Sequence, residues 1–432
     1  MEEIKPNPIE FLNLIPRQPL QWVKEDTAIL VVHGIGNQLP LETLDQFGQG
    51  LIAVFRKEFP DLIKISHQVV DKKDSRKGFW FDNVLRIQKE GSESVIDIYE
   101  YYWANYTEGK ASWGDINSWL QGVVGGAKEF YNRNQSMGQQ YKDKSIFFDD
   151  KTGAFNKFTY DIFISTMSKI LLTLDAIWSG VLWLLTWIPF FGNLAKKWVE
   201  SYTDNLVSKL TNVLGDVVVY NVNDPKSKFY GPKKRIQEGA VKSLLFILER
   251  QKNDNPFYSS VLVAGHSLGS QVAYDAINKI NLLINQGLVV GYDQQGINQK
   301  TQQHISTHLR GFITFGCPLD KIVFFLRDNV PDNQYIRQQF LDHFNGFKQR
   351  DINFINKNGN YVKANSGLKR HFEEIQWRNY FDNHDYVSGG LDYYHNLTNV
   401  DCGFKAGKFS FTHSEYWTHE KFYNDVVFRF FN

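Results

Sequence analysis

Apolar positions along this chain fall into two kinds of run that take turns. Thr27-Ala-Ile-Leu-Val-Val-His33 is apolar almost without a break, the pattern of a strand buried on both faces of a parallel sheet. Val261–Ala264 and Leu309–Phe315 have the same short, branched or aromatic character and predict two further strands. Phe79–Gln88 and Ser94–Trp103, joined by Lys89-Glu90-Gly91-Ser92, predict a hairpin. The imperfect alternation of Val95-Ile-Asp-Ile-Tyr-Glu-Tyr101 predicts that its second arm is well covered. Strands are also predicted around Glu374–Phe381 and at Lys405–Thr412, Gly215–Tyr220 is predicted to bring the chain back to the sheet, and Asn358-Gly359 predicts a tight hairpin turn.

Helical periods lie between these runs. Leu41–Phe59 reads as a helix stopped by Pro60, and Ile236, Ala240, Val241, Leu244, Leu245 and Leu248 line one face of another. Gly269, Val272, Ala273, Ala276, Ile277 and Ile280 recur at i, i+3, i+4 and form a narrow stripe suited to lying on a sheet. From Tyr416 onward, Phe422, Tyr423, Val426, Val427 and Phe430 share a face of a terminal helix. Strands alternating with helices in this way predict an α/β fold with a mostly parallel sheet and helices on both faces. The chain divides into a first part, 1–104, a second part, 216–432, and an insertion, 105–215, that interrupts them.

The insertion changes character midway. Residues from 105 to Lys157 are rich in Gly, Asn, Gln, Lys and Asp and carry little signal. Ala176–Ala195 has no charged residue, holds Trp178, Trp183, Trp187, Phe190 and Phe191, and is followed by Lys196-Lys197. Such a run has the length of a bilayer span and the aromatic and basic flanks of an interfacial anchor. A single crossing would put Val32 and Ser267 on opposite sides of a membrane, so the segment must return, and Ile162–Leu174 is apolar enough to be the other arm. A membrane-associating helical hairpin over about 163–197 is expected; a lid over the site and an ordinary buried helix are the alternatives.

Composition narrows the partners. Lys plus Arg number 48 against 47 Asp plus Glu, a net charge of +1, and nothing points to a nucleic acid. Aromatics reach 15%, a content that suits apolar pockets and the membrane boundary. The two cysteines, Cys317 and Cys402, have no metal-ligand spacing, so neither a disulfide scaffold nor a metal site is expected and a reducing compartment fits. The amino-terminal residues lack the pattern of a signal peptide.

Chemistry concentrates where strands end. Gly265-His266-Ser267-Leu268-Gly269 joins a strand to a helix, and glycine two residues either side of the serine is what a strained turn with an exposed hydroxyl requires. His33-Gly34-Ile35-Gly36 follows the first buried strand, and glycines there let main-chain N–H groups approach a ligand. A serine hydroxyl needs a base and a group to orient that base. His413, after the last predicted strand and before the terminal helix, is the expected base, with His395 its competitor. Asp385 is the expected acid; Asp320 and Asp382 are the alternatives, Asp382 reading more readily as a solvated loop acid.

Val32-His33-Gly34-Ile35-Gly36, Gly265–Ser270, Phe315-Gly316-Cys317-Pro318-Leu319-Asp320, Asp385-Tyr386-Val387 and His413–Trp417 together resemble a lipase-like serine hydrolase of the α/β-hydrolase superfamily. The likeness covers most of the chain outside 105–215. It implies the α/β-hydrolase fold and a cofactor-free hydrolase of carboxylic esters, often of lipids. It also implies a Ser267–His413–Asp385 triad with the N–H groups of Ile35 and Leu268 as the oxyanion hole. The expectation is therefore a cytoplasmic, membrane-associated lipase or phospholipase. The alternatives are a soluble esterase or acyltransferase with the insertion as lid, and a non-catalytic membrane-tethered module.

Overall fold

The computed structural model describes residues 7–15, 19–35, 38–69, 83–107, 216–222, 225–252, 255–287, 305–320, 346–348, 354–355, 361–362, 368–385, 387–404 and 412–431, with isolated positions elsewhere. Nine strands form one sheet: β1 (Ile9–Phe11), β2 (Thr27–Val32), β3 (Ile63–Val69), β4 (Asn83–Lys89), β5 (Val95–Tyr101), β6 (Ser260–His266), β7 (Leu309–Phe315), β8 (Gln376–Phe381) and β9 (Thr398–Asp401). Their spatial order is β1-β9-β8-β7-β6-β2-β5-β4-β3. Neighbours from β1 through β5 in that order are parallel, and at one edge β4 pairs antiparallel with both β5 and β3. The described helices of length are α1 (Glu42–Glu58), α2 (Tyr230–Leu248), α3 (Leu268–Asn285) and α4 (Glu420–Phe431).

Alternation along the central strands sends side chains to two cores. Ala28, Leu30 and Val32 of β2 and Val261 and Val263 of β6 pack with α2 and α3, including Ile236, Leu244, Val272 and Ile277. Ile29, Val31, Leu262 and Ala264 pack with α1 and α4, including Phe47, Leu51, Phe422 and Val426. Helices therefore cover both faces, and each large apolar side chain buried this way contributes about 1.5–3 kcal/mol. Residues on both sides of the insertion share the sheet: β2 of the first part lies between β5 and β6, the latter from the second part.

Both ends of the described chain are tied to that sheet by a buried cation. Arg378 on β8 donates to Asp425 of α4 and Glu10 of β1, each at 2.7 Å. A guanidinium buried without those carboxylates would be strongly destabilising.

Most predicted elements are present, with four corrections. Residues 216–220, expected to return the chain to the sheet, are helical and not part of it: Val218 and Val219 bury in a small cluster of their own while Tyr220 faces α3 and donates to Asp275 at 2.8 Å. The last described strand is Thr398–Asp401; Thr412 is not in a strand, and 405–411 lie outside the described residues. β9 has a single apolar residue in its middle, Val400, and uses buried Asn399 to bond Asn379 and Leu391, so no apolar run announces it. The terminal helix is preceded by a separate 3₁₀ turn, Glu415–Thr418. β1 and β3 join the two edges, where burial is partial and the hydrophobic signal correspondingly weak. The predicted hairpin at Asn358-Gly359 is flanked by the antiparallel pair Phe354–Ile355 and Tyr361–Val362. No helix among the described residues is long and apolar enough to cross a membrane, and the segment 163–197 lies outside them.

Candidate active site

Parallel strands β2, β6, β7 and β8 all end on one edge of the sheet, which brings their following loops together. The chain leaves β2 to build β5 on one side, and β6 and β7 on the other. The crevice at such a reversal, outside the carboxyl ends of the strands, is where open α/β sheets bind ligands. His33, Ser267 and Gly316 follow the first three of these strands directly, and Asp382–Asp385 follow the fourth.

Ser267 sits between β6 and α3 at φ 51°, ψ −130°. That backbone conformation costs a non-glycine residue about 1–3 kcal/mol and persists only where its surroundings hold it. Its N–H donates to Phe315 O at 3.0 Å, and Ser270 donates its hydroxyl to Gly265 O at 2.7 Å. The flanking glycines are required by contact. A Cβ on Gly269 would lie 2.3 Å from His33 O, and one on Gly265 would lie 2.6 Å from Ser270 Cα. The side chain is 1% exposed, and its Oγ has no hydrogen-bond partner among the described residues. The direct Oγ bond to an imidazole expected of a poised pair is thus not formed in this state, and such bonds often tighten only with substrate.

His413 occupies the turn before the 3₁₀ segment. Its Nδ1 donates to Asp385 Oδ2 at 2.9 Å. That bond fixes the tautomer with the lone pair on Nε2. Asp385 is buried and also accepts the Tyr416 hydroxyl at 3.0 Å and the Val387 N–H at 2.9 Å. Burial alone would raise its pKa, but the hydrogen bond and charge of His413, with bonds from Ser388 and Val387, outweigh it and hold the carboxyl well below the usual range.

The alternative acids have other work. Asp320 receives the main-chain N–H groups of Asp392, at 2.7 Å, and Tyr393, at 3.2 Å, and so holds the loop after β8. Asp382 is buried rather than solvated. It accepts from Phe404 N at 2.7 Å, His384 N at 2.8 Å and Thr412 Oγ1 at 3.3 Å, which pins the residue before His413. His395 is bonded to Glu373, which precedes β8 and so lies at the opposite end of that strand from Asp385.

The glycine turn after β2 packs directly on the serine. A Cβ on Gly34 would come within 2.7 Å of Ser267 Cβ, which places the Gly34–Ile35 turn against the elbow, while Leu268 begins α3. His33 holds this turn. Its Nδ1–H donates to Gly34 O at 2.7 Å and its Nε2 accepts the Trp103 N–H at 2.9 Å. The two rings stack at 4.9 Å, and burial lowers the His33 pKa to about 4, so the imidazole is neutral. The thiol of Cys317, next to Gly316, is pushed up to about 12 by burial and offers no competing thiolate.

Of the expected site residues, the fold places Ser267, His413 and Asp385 on one edge of the sheet and brings the last two into a hydrogen bond. Sequence reasoning missed Tyr416 and Ser388, which bond to each other at 3.0 Å beside the carboxylate, and it gave no role to His266. Tyr416 was legible as part of the His413–Trp417 run; Ser388 has no local signal. Among the described residues no cluster of His, Cys, Asp and Glu is arranged to hold a metal ion. No family model, no curated protein and no solved structure matches the chain, so what can be said of this site comes from its own geometry.

Proposed function

We propose that the protein is a serine hydrolase of carboxylic esters, with the α/β-hydrolase fold and a lipase-like site. The observation that carries this reading is a strained, buried serine at a helix N-terminus on the same sheet edge as an Asp385–His413 pair. Ser267 Oγ attacks the ester carbonyl as His413 Nε2 takes its proton, and Asp385 holds the ring and balances the imidazolium charge. The N–H groups of Leu268 and Ile35 receive the oxyanion, each such donor being worth about 3 kcal/mol. Collapse of the tetrahedral intermediate expels the alcohol, which takes the proton from His413. Water then attacks the acyl-enzyme through the same histidine.

The apolar, tryptophan-rich segment 163–197 supports lipid acyl esters as substrates and a membrane surface as the place of work. Hydrolysis of p-nitrophenyl esters of graded acyl length by wild type and Ser267→Ala, with vesicle co-sedimentation of both, tests the two halves together. The reading requires hydrolysis that Ser267→Ala abolishes, and long-chain preference with vesicle binding that Ser267→Ala keeps. Hydrolysis restricted to short soluble esters without vesicle binding leaves an esterase with a lid. Vesicle binding with no hydrolysis by wild type leaves a tethered module and refutes the enzyme.

A further inference from the structure

His266 is a histidine that neither the sequence pattern nor the proposed reaction uses, yet it is buried between the elbow and the turn that carries His413. Its Nε2 lies 3.1 Å from the main-chain oxygen of His413. A carbonyl only accepts, so Nε2 carries the proton and the other ring nitrogen does not. The two imidazoles are 4.9 Å apart, centre to centre. Trp417 at 4.9 Å and Phe315 at 5.0 Å confine the His266 ring.

We propose that His266 is a positioning residue: the Nε2–H it donates to the His413 carbonyl fixes the turn from which the imidazole of His413 projects. This rests on the Ser267–His413–Asp385 reading above. The turn has other anchors: Asp382 on the Thr412 hydroxyl, the Thr412 carbonyl, which accepts the Glu415 N–H at 3.0 Å, and Asp385 on the imidazole itself. The bonds at Thr412 hold that residue and the peptide after it but not the peptide after His413, and holding Nδ1 alone leaves the ring free to swing about that bond. The bond at the carbonyl of residue 413 fixes that peptide and with it the direction in which the Cα–Cβ bond presents the ring, so that with Nδ1 held by Asp385 the position of Nε2 is narrowed. Because His266 adjoins Ser267 in sequence, the same residue references the base to the nucleophile's own turn. Gly316, at φ 60°, leaves the room this needs: a Cβ there would sit 3.0 Å from His413 Cε1 and 3.2 Å from His266 Nε2. Burial, with His413 beside it, holds the His266 pKa down to about 3, so the donor is a neutral imidazole and persists across the working range of pH.

A ring that merely fills space would be replaced by phenylalanine without loss, which separates packing from hydrogen bonding. The experiment uses the full chain with nitrogen-15 histidine. In wild type, the His266 resonances must report the Nε2–H tautomer; the Nδ1–H tautomer overturns the proposal with no variant needed. Ser267 modification by a fluorophosphonate is then timed in wild type, His266→Phe and His266→Gln, glutamine placing an N–H near the same point. Displacements of about 1 Å cost on the order of a hundredfold, so His266→Phe is expected to react about tenfold to a hundredfold more slowly, its His413 Nδ1–H signal broadened by exchange. His266→Gln is expected to recover most of the rate and the signal. Wild-type rates in His266→Phe, or equal losses in both variants, overturn the role of His266 alone. A wild type that does not react removes the catalytic reading itself, and this role with it.

Discussion

Replacing Asp385 by asparagine changes one heavy atom and separates the proposed acid from its two rivals. Oδ2 of Asp385 faces two donors, His413 Nδ1 at 2.9 Å and the Tyr416 hydroxyl at 3.0 Å, while Oδ1 faces the Val387 N–H at 2.9 Å. An amide offers one acceptor oxygen. With its NH₂ toward His413, the tyrosine hydroxyl can rotate away, but Nδ1–H must give up its proton, and the imidazole switches to the Nε2–H tautomer. That tautomer has no lone pair for the Ser267 hydroxyl. With the NH₂ toward Val387, a buried N–H loses its partner at a cost of about 1–3 kcal/mol. The variant is expected to lose about 1–3 kcal/mol of stability by either route. Catalysis should fall by on the order of 10⁴ in kcat, the scale of a wrong-tautomer triad, equivalent to about 5 kcal/mol of barrier. Stopped-flow hydrolysis of p-nitrophenyl butyrate, with urea unfolding of the same preparations, measures both. The reasoning is refuted if Asp385→Asn stays within about tenfold of wild type while Asp382→Asn or Asp320→Asn loses the activity.

Three further expectations follow from single contacts. Gly269→Ala puts a Cβ 2.3 Å from His33 O and 2.4 Å from Val32 O, main-chain atoms that cannot step aside, so thermal unfolding should show a loss of about 3 kcal/mol or more; a near-native midpoint would contradict the packing of the elbow. Tyr416→Phe keeps the buried ring but removes a donor to a carboxylate, and urea unfolding should register about 1.5–3 kcal/mol with activity reduced far less than in Asp385→Asn. The folded pKa of Asp385 lies below its unfolded value, so its contribution to stability is present above about pH 4 and drains away as pH falls through the folded value. Wild type should therefore lose stability between about pH 4 and pH 2 more steeply than Asp385→Asn, and parallel curves by calorimetry would contradict that assignment.

How much of this could be read from the sequence depended on how locally each feature is encoded. β2 and β6 are continuous buried runs, and the stripe on α3 is set by its own spacing, so all three were legible. β3 alternates Ile63, Ile65, His67 and Val69 with polar residues, yet as an outermost strand it is mostly exposed and carries too few buried apolar positions to announce itself. β9 is held by buried Asn399 and its partners on β8, a tertiary arrangement with no local mark. Val217, Val218 and Val219 favour a strand by propensity, and packing overrides that preference in the helix they form. At the site, Ser267 was carried by a motif and His413 by its place in chain order. Asp385 is preferred over Asp320 and Asp382 in the sequence only by its place after the penultimate strand, and their partners separate them further: Asp385 meets the His413 imidazole, Asp320 accepts main-chain N–H groups, and Asp382 accepts main-chain N–H groups and faces the neighbouring His384 ring. His266 was in view as a motif letter and silent as chemistry, because its bond reaches a residue 147 positions away.

The central claim, that Ser267 is a nucleophile activated by His413, is tested most directly by treating the folded protein with a fluorophosphonate and mapping the adduct by peptide mass spectrometry. A single phosphonyl group on Ser267 is predicted, absent from Ser267→Ala and formed far more slowly in His413→Ala. An unmodified Ser267 in folded wild type, or an adduct formed equally fast without the histidine, would contradict it.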